Sequence, residues 1–245
     1  MTLLASDALI LRTWPVNEAD LVVSFFTRDY GKVKGVAKAA LKSRKRFGGT
    51  LEPMTLARAF FAEKPRQELV RLDQLELLRS PLSAPVDYAR AAALSFYAEV
   101  LEEALPEHDP HETVFRLLLA VMEHTTIEQP WMPLTYFSVW MTRLMGWLPD
   151  LAGCTACGER FVPGEASFHP QSDGLFCSQH RQGAGSLLCE DSWGLAQRIL
   201  REPATALARE PWPRRRGQDL RRFTLQSLER HLERRLRSAE PIFRI

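Results

Sequence analysis

The hydrophobic period of this chain changes once, at Ser80-Pro81, and that change leaves few architectures open. Upstream, apolar residues come in short runs: Ala8–Arg12, Leu21–Thr27 (LVVSFFT), Lys32–Ala37 (KVKGVA), Thr55–Ala62 (TLARAFFA) and Leu69–Leu77 (LVRLDQLEL). Turn signals at Pro15–Asp20, Asp29–Gly31 and Gly48-Gly49 separate them. β-branched and aromatic residues suit a pleated surface, and Gly, Pro and Asp reverse the chain. Five short strands at this spacing predict a small sheet or barrel over residues 1–80.

Downstream the period becomes helical. Ala93, Tyr97, Val100, Leu101 and Ala104 share one face. Val114, Leu117, Leu118, Val121 and Met122 share another, and Leu134, Phe137, Met141, Leu144 and Met145 a third. These i, i+3, i+4 stripes belong to amphipathic helices packing into a bundle, and Pro106, Pro110 and Pro130 fall in the gaps. Trp193, Leu195, Ile199 and Leu200 predict a short helix, and Leu225, Leu228, Leu232 and Leu236 a longer one ending near Arg237. The predicted fold class is therefore α+β multidomain, an N-terminal β-barrel followed by an all-α domain over 81–245. Residues 151–189 form an insertion rich in Gly, Ser and Pro.

With 45% hydrophobic and 25% charged residues, the chain of 245 residues has material for a real core. No apolar run approaches the roughly 20 residues of a membrane span. Asp7 interrupts the N-terminus, which has no basic segment ahead of an apolar one, so it does not read as a signal peptide. A cytoplasmic location without membrane contact is expected. Four cysteines in that setting point to thiols or a metal, not to a disulfide framework.

The overall charge is nearly balanced, 32 Lys and Arg against 30 Asp and Glu. Within that balance, Gly31 to Gly49 carries Lys32, Lys34, Lys38, Lys42, Arg44, Lys45 and Arg46 with no acid. Cations clustered within one or two Debye lengths attract polyanions, above all nucleic-acid phosphate. Phe47, the aromatic within this run, is either a base-stacking residue or an anchor for the loop. A second cluster, Arg214, Arg215, Arg216, Arg221 and Arg222, offers planar forks that suit phosphate or carboxylate. Glu99, Glu102, Glu103 and Glu107 gather on the first helix and read as a solvated face or a partner surface.

Cys154-x2-Cys157-Gly158 has the tight turn that brings two thiolates to one ion. Cys177-x2-His180 lies twenty residues on, at a spacing that fits a zinc-ribbon-like loop; Cys189 and His169 compete for the fourth position. The role expected is structural, because the segment is too short and polar to bury a core of its own. No H-E-x-x-H accompanies the cysteines, and the βαβ context of a redox C-x-x-C is missing. G-x-G-x-x-G, Walker and G-x-S-x-G motifs are likewise absent from the sequence, which argues against an enzyme.

Several short motifs carry a resemblance. LRT at Leu11–Thr13, EAD at Glu18–Asp20, TRDYGK at Thr27–Lys32, RFGG at Arg46–Gly49 and LEP at Leu51–Pro53 follow the order and spacing of the bacterial RecO family of recombinational repair proteins. Weaker agreement runs through the helices, the cysteine loop and the C-terminal arginines. The resemblance implies an OB-fold over residues 1–80, a helical domain and a zinc-finger-like insertion. It implies a mediator of the RecF pathway that binds single- and double-stranded DNA, anneals complementary strands and helps load RecA. The partners it implies are RecR and the acidic C-terminal tail of single-stranded DNA-binding protein. The family's common metal pattern is two C-x2-C pairs, so His180 stands here where a cysteine is usual. A different reading of the residues is a non-enzymatic adaptor whose main ligand is an acidic protein tail.

Overall fold

The computed structural model describes residues 2–63, 67–126, 129–162, 164–181, 183 and 185–244. Chain contacts divide it into two compact units, residues 1–116 with 240–245, and residues 117–239.

In the first unit five strands close into a barrel: β1 (Leu3–Pro15), β2 (Leu21–Thr27), β3 (Gly31–Ala37), β4 (Leu56–Ala62) and β5 (Val70–Arg79). The order around the barrel is β1-β2-β3-β5-β4. β3 and β5 run parallel over Gly35–Ala37 and Val70–Leu72, and the other pairs are antiparallel. The register of β1 shifts between Ile10 and Arg12, so that its first half pairs with β4 and its second with β2. Such a bulge bends a long strand around a barrel corner. The interior is filled by Ile10, Val23, Phe25, Val33, Phe61 and Leu72, with Phe25 and Phe61 meeting edge to face at 5.5 Å.

The connection after β3 runs from Lys38 to Thr55. It contains one short helix, α1 (Arg44–Phe47), whose Phe47 side chain is buried among the barrel residues. Helix α2 (Tyr88–Ala104) follows, capped by the Asp87 side chain accepting from Arg90 N. Gly31 turns β2 into β3 at a left-handed φ of +71°, and a Cβ there would strike the Asp109 backbone, so glycine is required.

Helix α3 (Glu112–His124) leads into the second unit, where α4 (Trp131–Leu144) is buried on nearly every side. A helix apolar all round sits at the centre of a bundle. Its Thr135, Ser138 and Thr142 hydroxyls return to carbonyls one turn back, so these three buried groups need no water. Around α4 lie α5 (Glu190–Ile199), α6 (Ala204–Leu207) and α7 (Gln218–His231). Helix α7 stops at His231, short of the expected Arg237. Glu233 takes a left-handed φ of +53°, and the Glu229 carboxylate accepts from Leu236 N. A last helix, α8 (Ala239–Arg244), closes the described chain. Among the described residues no helix is long and apolar enough to cross a membrane.

Candidate nucleic-acid interface and metal centre

Strand alternation decides the fate of the basic run. On β3, Val33, Gly35 and Ala37 face the barrel interior, so Lys32, Lys34 and Val36 face outward. The first two of these outward positions lie beneath the end of α2. Lys32 is only 6% exposed, and its Nζ donates to the Glu102 carbonyl oxygen. Burial holds its pKa below the ordinary lysine value, against the pull of Glu102. Lys34 Nζ lies 2.6 Å from a Glu107 carboxylate oxygen and 3.8 Å from one of Glu102. The Ser24 hydroxyl donates to the other Glu102 oxygen at 2.5 Å. Both lysines thus meet carboxylates and the carbonyl end of a helix, where a cation is favoured. Half of the expected acidic face, Glu102 and Glu107, is occupied by them.

Beyond Val36 the outer face is open. Lys38, Lys42, Arg44 and Lys45 are exposed. Arg46 is half-buried; its guanidinium donates to the Lys38 carbonyl at 2.6 Å and to Ser43 Oγ at 3.1 Å, and covers the Phe47 ring at 5.1 Å. Phe47 is 1% exposed, so of its two candidate roles it performs the anchoring one. The loop is tied to the β1–β2 connection, with Ala39 N donating to Asp20 Oδ1 at 2.7 Å and Leu41 N to Ala19 O at 3.2 Å. The Ala39 amide, with Asn17, pulls the Asp20 pKa below the usual carboxylate value.

Sequence reasoning passed over Arg12 and Trp14. The Arg12 guanidinium sits 5.0 Å above the Trp14 ring. Trp14 pairs with Val22, Val22 with Val36, and Val36 with Arg71, so the four form one row across β1, β2, β3 and β5. The signal was available as alternation: once Val23 and Thr13 are read as inward, Trp14 must face out.

The C-terminal arginines separate by burial. Arg221 is buried; it donates to Thr135 Oγ1 and the Arg216 carbonyl, each at 2.8 Å, and to the Arg214 carbonyl. Its guanidinium covers the Trp131 ring at 4.8 Å, and burial brings its pKa down to about 10. Arg216 pairs with Glu210 and stacks 4.5 Å over Trp212. Arg198 and Arg216 together hold the Glu210 carboxyl down to about 2. Arg214, 5.8 Å over Trp131, is exposed, as are Arg215 and Arg222. The cluster is therefore one buried brace, one ion pair and an exposed remainder.

The cysteine loop brings Cys154, Cys157, Cys177 and His180 together, with all four ligand atoms within 4.8 Å of one another. Cys157 Sγ and Cys177 Sγ are 4.0 Å apart, and Cys177 Sγ lies 3.2 Å from His180 Nδ1. Tetrahedral zinc with three sulfurs and one nitrogen puts its ligand atoms about 3.5–3.8 Å apart, so the donor set fits that ion. Gly158 N donates to Cys154 O, and Gly158 has a φ of +72°, closing the first turn. The strand pair β6 (Ser167–Phe168) and β7 (Ser186–Leu187), with Phe161 and Phe176, supports the loop. Burial opposes ionisation of Cys154 and Cys177, but backbone donors overcome it and bring both thiols below their ordinary pKa, which favours the thiolate a metal needs. Of the competing ligands, Cys189 caps α5 with its thiol exposed, and His169 Nδ1 accepts from Gln171 N; neither joins the cluster.

A closed barrel with a cationic loop, followed in the chain by helices and a Cys3His cluster that could hold a metal ion, defines a mixed α/β protein. Residues 1–81 match the model of the family Recombination protein O N terminal, and residues 85–240 that of Recombination protein O C terminal. The chain is 52% identical over 231 residues to the DNA repair protein RecO of Koribacter versatilis (strain Ellin345), covering 94% of each. It is 34% identical over 233 residues to the DNA repair protein RecO of Anaeromyxobacter sp. (strain Fw109-5), covering 93% of this chain and 91% of that one. The chain belongs to the RecO family of DNA repair proteins.

Proposed function

We propose that this protein is a non-enzymatic recombination mediator of the RecF pathway. It binds single- and double-stranded DNA, anneals complementary strands and assists RecA loading on DNA coated with single-stranded DNA-binding protein. The observation that carries this reading is the exposed set Lys38, Lys42, Arg44 and Lys45 on one fixed loop of the barrel. A strand order that suits an OB-fold supports reading residues 1–80 as the DNA-binding domain and 81–245 as the helical one. Annealing needs phosphate shielding with base edges left free, and lysines and arginines on a loop supply the first without blocking the second. Arg214, Arg215 and Arg222 give the second unit exposed cations of its own. Zinc held by Cys154, Cys157, Cys177 and His180 orders residues 151–189 and takes no part in chemistry. The protein works in the cytoplasm, at the nucleoid.

RecR and the acidic tail of single-stranded DNA-binding protein are the protein partners in this reading. An adaptor role for that tail has its own support in the second unit. A cleft of about 520 Å³ there is lined by Leu148, Leu151 and Leu200 together with Arg143, Arg201 and one acid, Asp150. An apolar lining in which cations outnumber acids suits a short acidic peptide with apolar side chains.

The test is strand annealing and DNA binding across a salt series by the full chain and by a Lys42/Arg44/Lys45→Ala variant. Wild-type affinity is expected to fall steeply with salt, and the variant to lose affinity and annealing together. Unchanged affinity and salt dependence in the variant would refute the loop assignment. Tail-peptide binding lost in Arg143→Ala with DNA binding intact would favour the adaptor role.

A further inference from the structure

The outer face of β1, β2 and β3 is divided into two halves. One half is covered: Phe26 packs against Phe115 at 5.7 Å, and Ser24, Lys32 and Lys34 engage Glu102 and Glu107. The other half begins one pleat further on. There Trp14, Val22 and Val36 stand side by side on adjacent strands, half-buried, with Arg71 at the end of the row. Beyond Val36 the row opens into a cleft of about 510 Å³ lined by Lys38, Gln67, Glu68, Leu69, Val70 and Arg71. Val16 and Leu41, 55% and 60% exposed, belong to the two connections bordering the open half, which are joined at Ala19 and Leu41.

We propose that this row is a base-stacking track for unpaired nucleotides, with Trp14 as its aromatic platform. The proposal rests on the DNA-binding reading above and assigns the bases a place that the cationic loop does not provide. An aromatic ring partly open to water, already carrying a guanidinium on one face, is an arrangement on which bases can stack. The charge around it is complementary to a phosphate backbone: Arg12 lies over the ring, Lys38 lines the cleft, and Lys42, Arg44 and Lys45 follow in the chain. Arg71 is paired with Asp73 and contributes its position more than its charge. Phe47, buried in the barrel, cannot supply this contact. The occupant is single-stranded nucleic acid, because a duplex keeps its base faces stacked inside.

The experiment compares two oligonucleotides of equal length with the full-length protein, one of thymidines and one of abasic sites, at several salt concentrations. The phosphates are the same, so the difference reads the bases. Wild type is expected to bind the thymidine strand roughly ten-fold more tightly. Trp14→Ala should bring thymidine affinity down to the abasic level, leave abasic affinity and the salt slope unchanged, and Trp14→Phe should restore the preference. If Trp14→Ala does not fold, Val36→Asp, which places a carboxylate in the same row, should remove the preference instead. Equal wild-type affinity for the two strands, or a preference that survives both Trp14→Ala and Val36→Asp, would overturn the track. Loss of acidic-tail binding in Trp14→Ala with the base preference kept would also overturn it and give this face to a peptide. Absence of salt-dependent binding to either strand would refute the DNA-binding reading itself, and is distinguishable from all of these.

Discussion

Lys34 Nζ lies 2.6 Å from the Glu107 carboxylate, so a residue that begins in the most basic stretch of the chain ends in an ion pair with the most acidic one. The hydrogen bond from Lys34 holds the Glu107 pKa below its ordinary 4.5, and Glu107 raises that of Lys34 above 10.5. The stability contributed through Glu107 is therefore present above pH 4.5 and lost as pH falls through the lower folded value. The share through Lys34 is present below pH 10.5 and lost as pH rises through the higher one. Glu107→Gln should flatten both limbs in urea unfolding. With the Glu107 side chain 40% exposed, solvent screening limits the loss at neutral pH to about 0.5–1 kcal/mol.

The two lysines under the end of α2 and the loop cations Lys42, Arg44 and Lys45 should behave oppositely. Each phosphate contact on a single strand contributes about 0.7 to the slope of log affinity against log salt. Lys42/Arg44/Lys45→Ala should lower that slope by about 2 and leave the unfolding midpoint unchanged. Lys32→Met should leave the slope where it is. A titration of single-stranded DNA binding over salt separates the two classes.

Removing a ligand from the cysteine loop should loosen that loop alone. Cys177→Ser is expected to reduce bound zinc from about one ion per chain to near zero, read by elemental analysis. Hydrogen exchange should then rise across residues 151–189 and not in the barrel strands. His180→Cys should keep the ion, since it restores a four-sulfur donor set. Gly174→Ala should weaken metal retention without touching a ligand: its φ is +102°, and a Cβ there would strike the Thr155 side chain beside the first cysteine.

Arg221 is a brace within the second unit, so its loss should cost fold stability before DNA binding. Arg221→Met leaves the Arg214 and Arg216 carbonyls and Thr135 without their donor. A loss of about 1–3 kcal/mol in chemical unfolding is expected. The salt slope for DNA should fall by less than that of Arg214/Arg215→Ala, which removes cations from the surface.

Acid should act on the Arg198–Glu210–Arg216 network. Arg198 and Arg216 hold the Glu210 carboxyl down to about 2 from an ordinary 4.5. Its contribution is thus present above pH 4.5 and lost between there and about pH 2. Glu210→Gln should remove that part of the acid limb in a pH series of thermal melts, with an effect below about 1 kcal/mol because the carboxylate is 33% exposed.

Much of this architecture was legible in one dimension. Leu21–Thr27 was read as a strand and is β2 with those bounds, because β-branched and aromatic residues bounded by turn residues have few other uses. Cys154, Cys157, Cys177 and His180 were read as a ligand set with Cys189 and His169 competing for the fourth position, and the first four come together because two short-spaced pairs each close on a tight turn. The C-terminal helix was read too long. Leu232 and Leu236 keep a helical spacing, yet the chain turns left-handed at Glu233 and reaches Leu236 by another path. Spacing records which residues are apolar and not where a backbone stops.

Residues close together in the chain suffice for the division into strands and helices, for the two short-spaced pairs of the Cys3His cluster and for the presence of a cationic segment. Tertiary structure alone decided which cations are free. Lys32 and Lys34 look no different from Lys42 and Lys45 as letters. Strand alternation and a segment some seventy residues away in the chain bury Lys32 against Glu102, pair Lys34 with Glu107 and leave Lys42 and Lys45 in water. The same alternation sets Trp14 beside Val22 and Val36, a row drawn from three strands that no local pattern contains. Charge is a property of a residue, but an exposed charge is a property of the fold around it.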